Sequence, residues 1–213
     1  MPAPELHWTE LSERVIGMAA KTVAKPSARE RLLASANELF YARGVQSVGI
    51  DQIIEHAGVA KASLYNTFGS KEELVRAYLE SRRESTLGRI TRAMSRFRTP
   101  RERLLGVFVA QGEAMSAPTY NGCAFVSAAA EAPHGGRVEQ VCDDYREEIR
   151  SIFADLAAQA GVADPDTLAR KLHLLYDGAM VSARMDRDPQ AAAFAREAAE
   201  ALLDAALAES AGS

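Results

Sequence analysis

Between Ile50 and Leu74 the chain reads IDQIIEHAGVAKASLYNTFGSKEEL, and no other stretch limits its fold so closely. Ile50, Ile53, Ile54 and Ala57 recur at helical spacing, so they line one face of a short helix, and Gly58 is a natural stop. Gly58, Val59 and Ala60 form the turn. A second short helix follows from Lys61 to Phe68, with Leu64 and Phe68 four residues apart and facing back onto the first. Two short helices on a tight Gly-containing turn make a helix-turn-helix. Ser70, with Glu73 three residues later, predicts a capping box that opens a third helix. The other face of the second helix carries Lys61, Ala62, Ser63, Tyr65, Asn66 and Thr67. These side chains suit phosphate oxygens and base edges in a major groove, not a helical core.

The run GVAKASLYNTFGSKEEL resembles the signature of the TetR family, typically G-V-S-K-G-T-L-Y-x-Y-F-x-(S/N)-K-E-E-L. The resemblance extends over roughly residues 28–80 and rests on Gly58, Val59, Lys61, Leu64, Tyr65, Phe68, Lys71, Glu73 and Leu74. It implies that the second motif helix enters the major groove and that Lys61, Ala62, Ser63, Tyr65, Asn66, Thr67 and Lys71 touch DNA. Among the departures from the pattern, Gly49 replaces the Thr that caps the first motif helix, Ala60 the Ser after Gly-Val, and Ala62 the Gly after the Lys. Gly49 costs about a few tenths of a kcal/mol in capping. Ala60 removes a hydroxyl available to a phosphate.

A chain of 213 residues, 47% hydrophobic, is long enough for one large domain or two small ones around a buried core. It has no run of 18 apolar residues, and Glu5, His7, Glu10, Glu13 and Arg14 interrupt the start, so a cytoplasmic protein with no membrane span is expected. The two cysteines, Cys123 and Cys142, lack C-x-x-C spacing, which fits a reducing compartment. The net charge of −4 hides a gradient. Residues 21–83 carry ten Lys and Arg against seven Asp and Glu, whereas residues 84–213 carry 14 against 19. The basic part coincides with the motif, as phosphate neutralisation requires.

In chain order, residues 1–26 read as an N-terminal extension whose Lys21 and Lys25 could form a basic arm. Residues 27–83 read as the DNA-binding domain and residues 84–213 as a ligand-binding and dimerisation domain. Ser27 and Glu30 box the start of a helix that carries Leu32, Leu33, Ala36, Leu39 and Phe40 up to Gly44 and completes a three-helix head. From Ser70 a long connector helix is predicted to about Phe97. Thr99-Pro100 opens the next helix, to Ala117, as N-cap and first helical residue. A short, nearly all-apolar helix over Cys123 to Ala132 should be enclosed on most sides. Amphipathic helices are expected over Arg137 to Ala160, Asp164-Pro165 to about Met185 and Pro189 to about Leu207. No strand alternation occurs, so the fold is all-α.

The last two helices have apolar residues on more than one face. Leu172, Leu175, Ala179 and Ser182 mark one side of the first, and Leu174, Gly178 and Val181 another. A helix with two buried faces needs two partners, here its own domain and a twin subunit. The resemblance implies the same homodimer, with recognition helices about 34–36 Å apart on a palindromic operator. Phe108, Gln111, Met115, Cys123, Phe125, Tyr145, Ile149, Tyr176, Asp177 and Met180 are expected to converge around a small, mostly apolar ligand. Asp177 stands out as an acid within an apolar helix. The resemblance implies a repressor that such a small-molecule effector releases from double-stranded DNA. His7, His56, His134 and His173 show no metal-ligand spacing, no G-x-S-x-G or phosphate loop occurs, and neither a cofactor nor an enzyme activity is expected. A helical ligand carrier, or a redox sensor based on Cys123 at a helix start, is the alternative from another class.

Overall fold

The computed structural model describes residues 26–211, so the extension before Pro26, with Lys21 and Lys25, lies outside the described residues. All regular structure among them is helical: α1 (Ala28–Arg43), α2 (Ile50–Ala57), α3 (Lys61–Phe68), α4 (Lys71–Met94), α5 (Pro100–Met115), α6 (Ala124–Glu131), α7 (Arg137–Ala160), α8 (Pro165–Asp186) and α9 (Ala191–Ala211). Helices α1 to α3 pack as a head with the start of α4, and α4 runs unbroken from the head into a body of α5 to α9. Its 24 residues span about 36 Å at a rise of about 1.5 Å each.

Local chemistry sets most of the boundaries. At Ser27 both halves of the capping box form, the hydroxyl accepting from Glu30 N–H at 3.2 Å and the Glu30 carboxylate from Ser27 N–H at 2.8 Å. Thr99 and Glu102 repeat the device ahead of Pro100, and Asp164 accepts from Thr167 N–H at 3.1 Å ahead of Pro165. Ser70 departs from expectation. Its hydroxyl accepts from Glu73 N–H, but the Glu73 carboxylate is drawn away to Arg76 (2.9 Å) and Arg137 (2.7 Å). Asp188 departs too: it accepts from Gln190 N–H at 2.9 Å, closing a turn that delays α9 to Ala191.

One apolar core runs from Leu32, Ile53 and Leu64 in the head through Leu79 and Ile90 on α4 to Phe108, Ile149 and Phe153 in the body. At the far end of α4 the chain folds back so tightly that a Cβ on Gly106 would meet the Phe97 ring at 2.9 Å. A side chain at that position would have to displace the Phe97 ring. Arg83 binds Glu148 through two nitrogens at 2.6 and 3.0 Å, tying α4 to α7. Arg101 reaches Glu200 and Asp204, tying α5 to α9. The short α6 is not enclosed as expected: Ala124, Phe125 and Ala128 are buried, while Val126 is 42% exposed. Alanine offers so little apolar surface that an alanine-rich helix needs cover on one face only.

Candidate nucleic-acid interface and interior cavity

The turn between α2 and α3 sets how α3 meets solvent. Gly58 ends α2 at φ +60°, the left-handed region in which a Cβ is unfavourable. Arg31 on α1 donates to the carbonyls of Ala57 (3.3 Å) and Gly58 (2.9 Å), satisfying the end of α2 from across the head. Leu64 is fully buried, and Phe68 is half-buried with the Arg29 guanidinium 5.6 Å from its ring centre. With that face anchored, Lys61, Ala62, Tyr65, Asn66 and Thr67 are exposed and Ser63 is partly so. Tyr65 leaves 44% of its surface in solvent.

The N-cap of α3 is Ala60, which makes no side-chain bond, so the first turn has no side-chain oxygen in front of its positive dipole end. Lys61 lies 3.0 Å from Asp51 on α2, and that hydrogen bond holds its ammonium above the usual lysine pKa. Thr67 donates to the Ser63 carbonyl at 2.6 Å. Lys71 is less open. It opens α4 beside a hollow shared with Gln46 and Glu131, and loss of water lowers its pKa while the Glu131 charge opposes that shift.

Within the body, α4, α5, α6, α7 and α8 surround a cavity of about 250 Å³. Of the residues expected to converge, Gln111, Met115, Cys123, Phe125, Tyr145, Tyr176 and Met180 line it. Phe108, Ile149 and Asp177 do not. Phe108 and Ile149 are sealed in the core, Phe108 with its ring centre 5.5 Å from that of Phe153. Asp177 faces a neighbouring hollow with Cys142 and Arg146, pairs with the partly exposed Arg146 at 2.8 Å and lies 3.6 Å from the buried His173. Its place follows from α8 geometry, because Tyr176 and Met180 share the inward face and the next position along turns away.

The wall is also more polar than an apolar ligand calls for. Tyr41, Arg82, Thr86, Arg89 and Tyr120, none of them singled out in the sequence, complete it. Arg82, Thr86 and Arg89 follow an i, i+4, i+7 rule along α4, and that spacing was the signal available. Tyr41 comes from α1, so the head itself forms part of the wall. Its ring lies under the Arg82 guanidinium at 3.7 Å, its hydroxyl accepts from Asn121 N–H (2.9 Å) and donates to the Gly122 carbonyl (3.0 Å). The Asn121 amide donates back to the Tyr41 carbonyl at 2.7 Å. A second clasp joins Gln46 N–H to the Glu131 carboxylate at 2.6 Å.

Burial pushes the Cys123 thiol pKa up, against the pull of the Val126 and Phe125 amides. The same cause raises Cys142 to about 12, and its Sγ lies 3.4 Å from the Phe125 carbonyl. Protonated thiols are poor nucleophiles, which weighs against a Cys123 redox sensor.

A family model described as bacterial regulatory proteins, tetR family, matches residues 32–78. Another, described as BetI-type transcriptional repressor, C-terminal, matches residues 100–208, about half of the chain. The HTH-type transcriptional repressor KstR2 of Mycolicibacterium smegmatis is 34% identical over 99 residues, 46% of this chain and 48% of that protein. The HTH-type transcriptional activator FasR of the same organism is 37% identical over 76 residues, 36% of this chain and 35% of that one. The chain thus spans about half the length, or less, of these curated relatives. A crystal structure of a TetR-family transcriptional regulator from Streptomyces coelicolor superposes with a TM-score of 0.80 at 31% identity, covering 84% of this chain and 96% of that one.

Proposed function

Because this chain belongs to the TetR family of helix-turn-helix transcriptional regulators, we propose that it works as a homodimeric repressor, its two α3 helices reading a palindromic operator and a small molecule in the body releasing it. It is a regulator and not an enzyme. The observation that carries the DNA reading is the division of α3: Leu64 sealed in the core, and Lys61, Ala62, Tyr65, Asn66 and Thr67 turned outward beside Ser63. A helix anchored on one side with polar and aromatic groups on the other is what major-groove readout requires. Lys71 contributes at the positive end of α4.

Dimerisation is supported by apolar surface that a single chain leaves uncovered. On α8, Leu174 is 72% exposed, Val181 46% and Met185 76%; on α9, Phe194 is 58% exposed. Exposed apolar residues on two adjacent helices favour a symmetric helix pairing with a second copy. Repression is supported by the description of the C-terminal family model. No helix among the described residues is long and apolar enough to cross a membrane.

Ligand control is supported by Tyr41, which belongs at once to the head, the cavity wall and the clasp with Asn121 and Gly122. A molecule that displaces Arg82 from the Tyr41 ring alters the seat of α1. It shifts the population towards misplaced heads in proportion to its preference for that state.

Selection from random duplexes tests the reading. Enrichment of a palindrome is expected, with Tyr65→Ala weakening its binding about tenfold and Lys61→Ala reducing the slope of affinity against log salt by about one. If nothing is enriched at low ionic strength, the carrier reading replaces it.

A further inference from the structure

Resting on the reading that a small molecule in the α4 to α8 cavity controls DNA binding, we propose that this molecule is an organic acid: a carboxylate on a compact aromatic body that also carries a hydrogen-bond donor.

The charge of the wall comes first. Arg82 and Arg89 both line the cavity, and among the described residues neither is within ion-pair distance of a carboxylate. Arg82 lies on the Tyr41 ring, an arrangement that leaves its edge N–H groups free to donate, and Arg89 makes a long contact of 3.4 Å with the Thr86 hydroxyl. The acid on the wall, Glu113, already pairs with Arg96. The other ionisable groups do not compensate. Burial raises the pKa of Tyr145 well above the usual phenol, that of Tyr176 to about 12 and that of Cys123, so all three stay neutral at pH 7. Two guanidinium groups on one face of α4 thus look into a space that supplies them no free anion, and the planar fork of arginine matches a carboxylate.

Gln111 adds the second requirement. It is 4% exposed, and its Nε2 donates to the Tyr176 carbonyl at 2.6 Å. A carbonyl can only accept, so the amide nitrogen must face it, and Oε1 is left turned away. Oε1 is buried with no hydrogen-bond partner. A buried acceptor without a partner is destabilising, and a donor on the ligand removes that cost.

Size and shape complete the argument. A dry cavity of about 150 Å³ holds benzene, so 250 Å³ accommodates a single-ring acid. Phe125 and Tyr145 are stacked with ring centres 3.7 Å apart and both belong to the wall, as does Tyr176, giving a flat body aromatic faces and edges to pack on. A quaternary ammonium, which would also favour aromatic rings, is opposed by the two arginines.

The test titrates the full chain with benzoate, 4-hydroxybenzoate and cinnamate, each against its primary amide, and with benzyltrimethylammonium, by calorimetry and by operator release. At least one acid is expected to bind about tenfold tighter than its amide or more. The preference should shrink in Arg82→Gln and Arg89→Gln, and the advantage of 4-hydroxybenzoate over benzoate should vanish in Gln111→Leu. The acid-to-amide ratio on the unmodified chain stands even if a variant fails to fold. Amides or the ammonium binding as well as the acids, no acid binding, or a preference that survives both arginine changes each overturns the assignment. An amide or cation that releases DNA while acids do not overturns the acid and keeps the ligand switch. An acid that binds without changing operator affinity keeps the anion site and removes the switch.

Discussion

Helix α3 and the wall of the cavity are made of the same material, yet they distribute it in opposite senses. In α3 the apolar groups go inward, with Leu64 at 0% exposure, and the groups proposed to touch DNA stand in solvent, Tyr65 at 44%. Around the cavity, polar side chains such as Gln111 point inward among aromatic rings, and the outermost face of α8 is apolar, with Leu174 and Met185 more than 70% exposed. An exposed reading surface needs only a rigid scaffold behind it, whereas an internal one needs several helices to converge. In the proposed reading the head gains its specificity from a second copy, and the body holds its site within one chain.

The largest effect should come from separating those two dependencies. Leu174→Glu together with Met185→Glu places charges on the uncovered apolar face of α8, and light scattering should report a monomer. Operator affinity is then expected to fall by a hundredfold or more, because one α3 reads only half of a palindrome, while the cavity, which neither residue lines, keeps its affinity for small molecules. A variant that remains dimeric would break the comparison, since the apolar face would then have some other purpose.

A second, smaller effect should divide head from body by stability. Leu64 is fully buried where α3 meets α1 and α2, so Leu64→Ala leaves a void and should cost about 2–5 kcal/mol. Calorimetry is expected to show a lower-melting head alongside an unchanged body transition, with DNA binding lost at temperatures where the body remains folded. A single transition shifted as a whole would mean that α4 welds the two regions into one cooperative unit.

The contrast also explains what could be read from the sequence. The head was legible in detail because its signals are local. Ser27 with Glu30, Gly58 and the Leu64/Phe68 pair each act within a turn or two, and α2 and α3 end where Gly58 and Gly69 dictate. The cavity was legible only in part because its members come from α1, α4, α5, α6, α7 and α8, and which faces meet is a matter of tertiary packing. Arg82 and Arg89 stand at a helical spacing that a solvated face would show equally well, and nothing local marks Tyr41 as part of a cavity. Asp177 was expected in the pocket on the sound ground that a buried acid needs a partner, but the partner, Arg146, stands on α7 beside a neighbouring hollow and not in the cavity.

The smallest effect, and the one that sharpens the comparison most selectively, is a pH dependence confined to the body. His173 on α8 is 4% exposed, and burial lowers its pKa from 6.5. Arg146 and Arg150 press the same way, while Asp177 and Glu147 oppose them. A histidine held neutral in the fold binds fewer protons than in the unfolded chain, so stability rises with pH, is fully present above about 6.5 and is lost as pH falls below that value. The capping carboxylates Glu30, Glu102 and Asp164, whose pKa values are lowered chiefly by hydrogen bonds to Ser27, Thr99 and Thr167, titrate in a separate window, their contribution fading only as pH falls through about 4.5 and below. Urea unfolding from pH 8 to pH 5 should therefore show the body weakening while the head holds steady, and His173→Gln should flatten that slope without altering the decline below pH 4.5. An unchanged slope in the variant would mean that the acid sensitivity of the body does not arise at the buried imidazole.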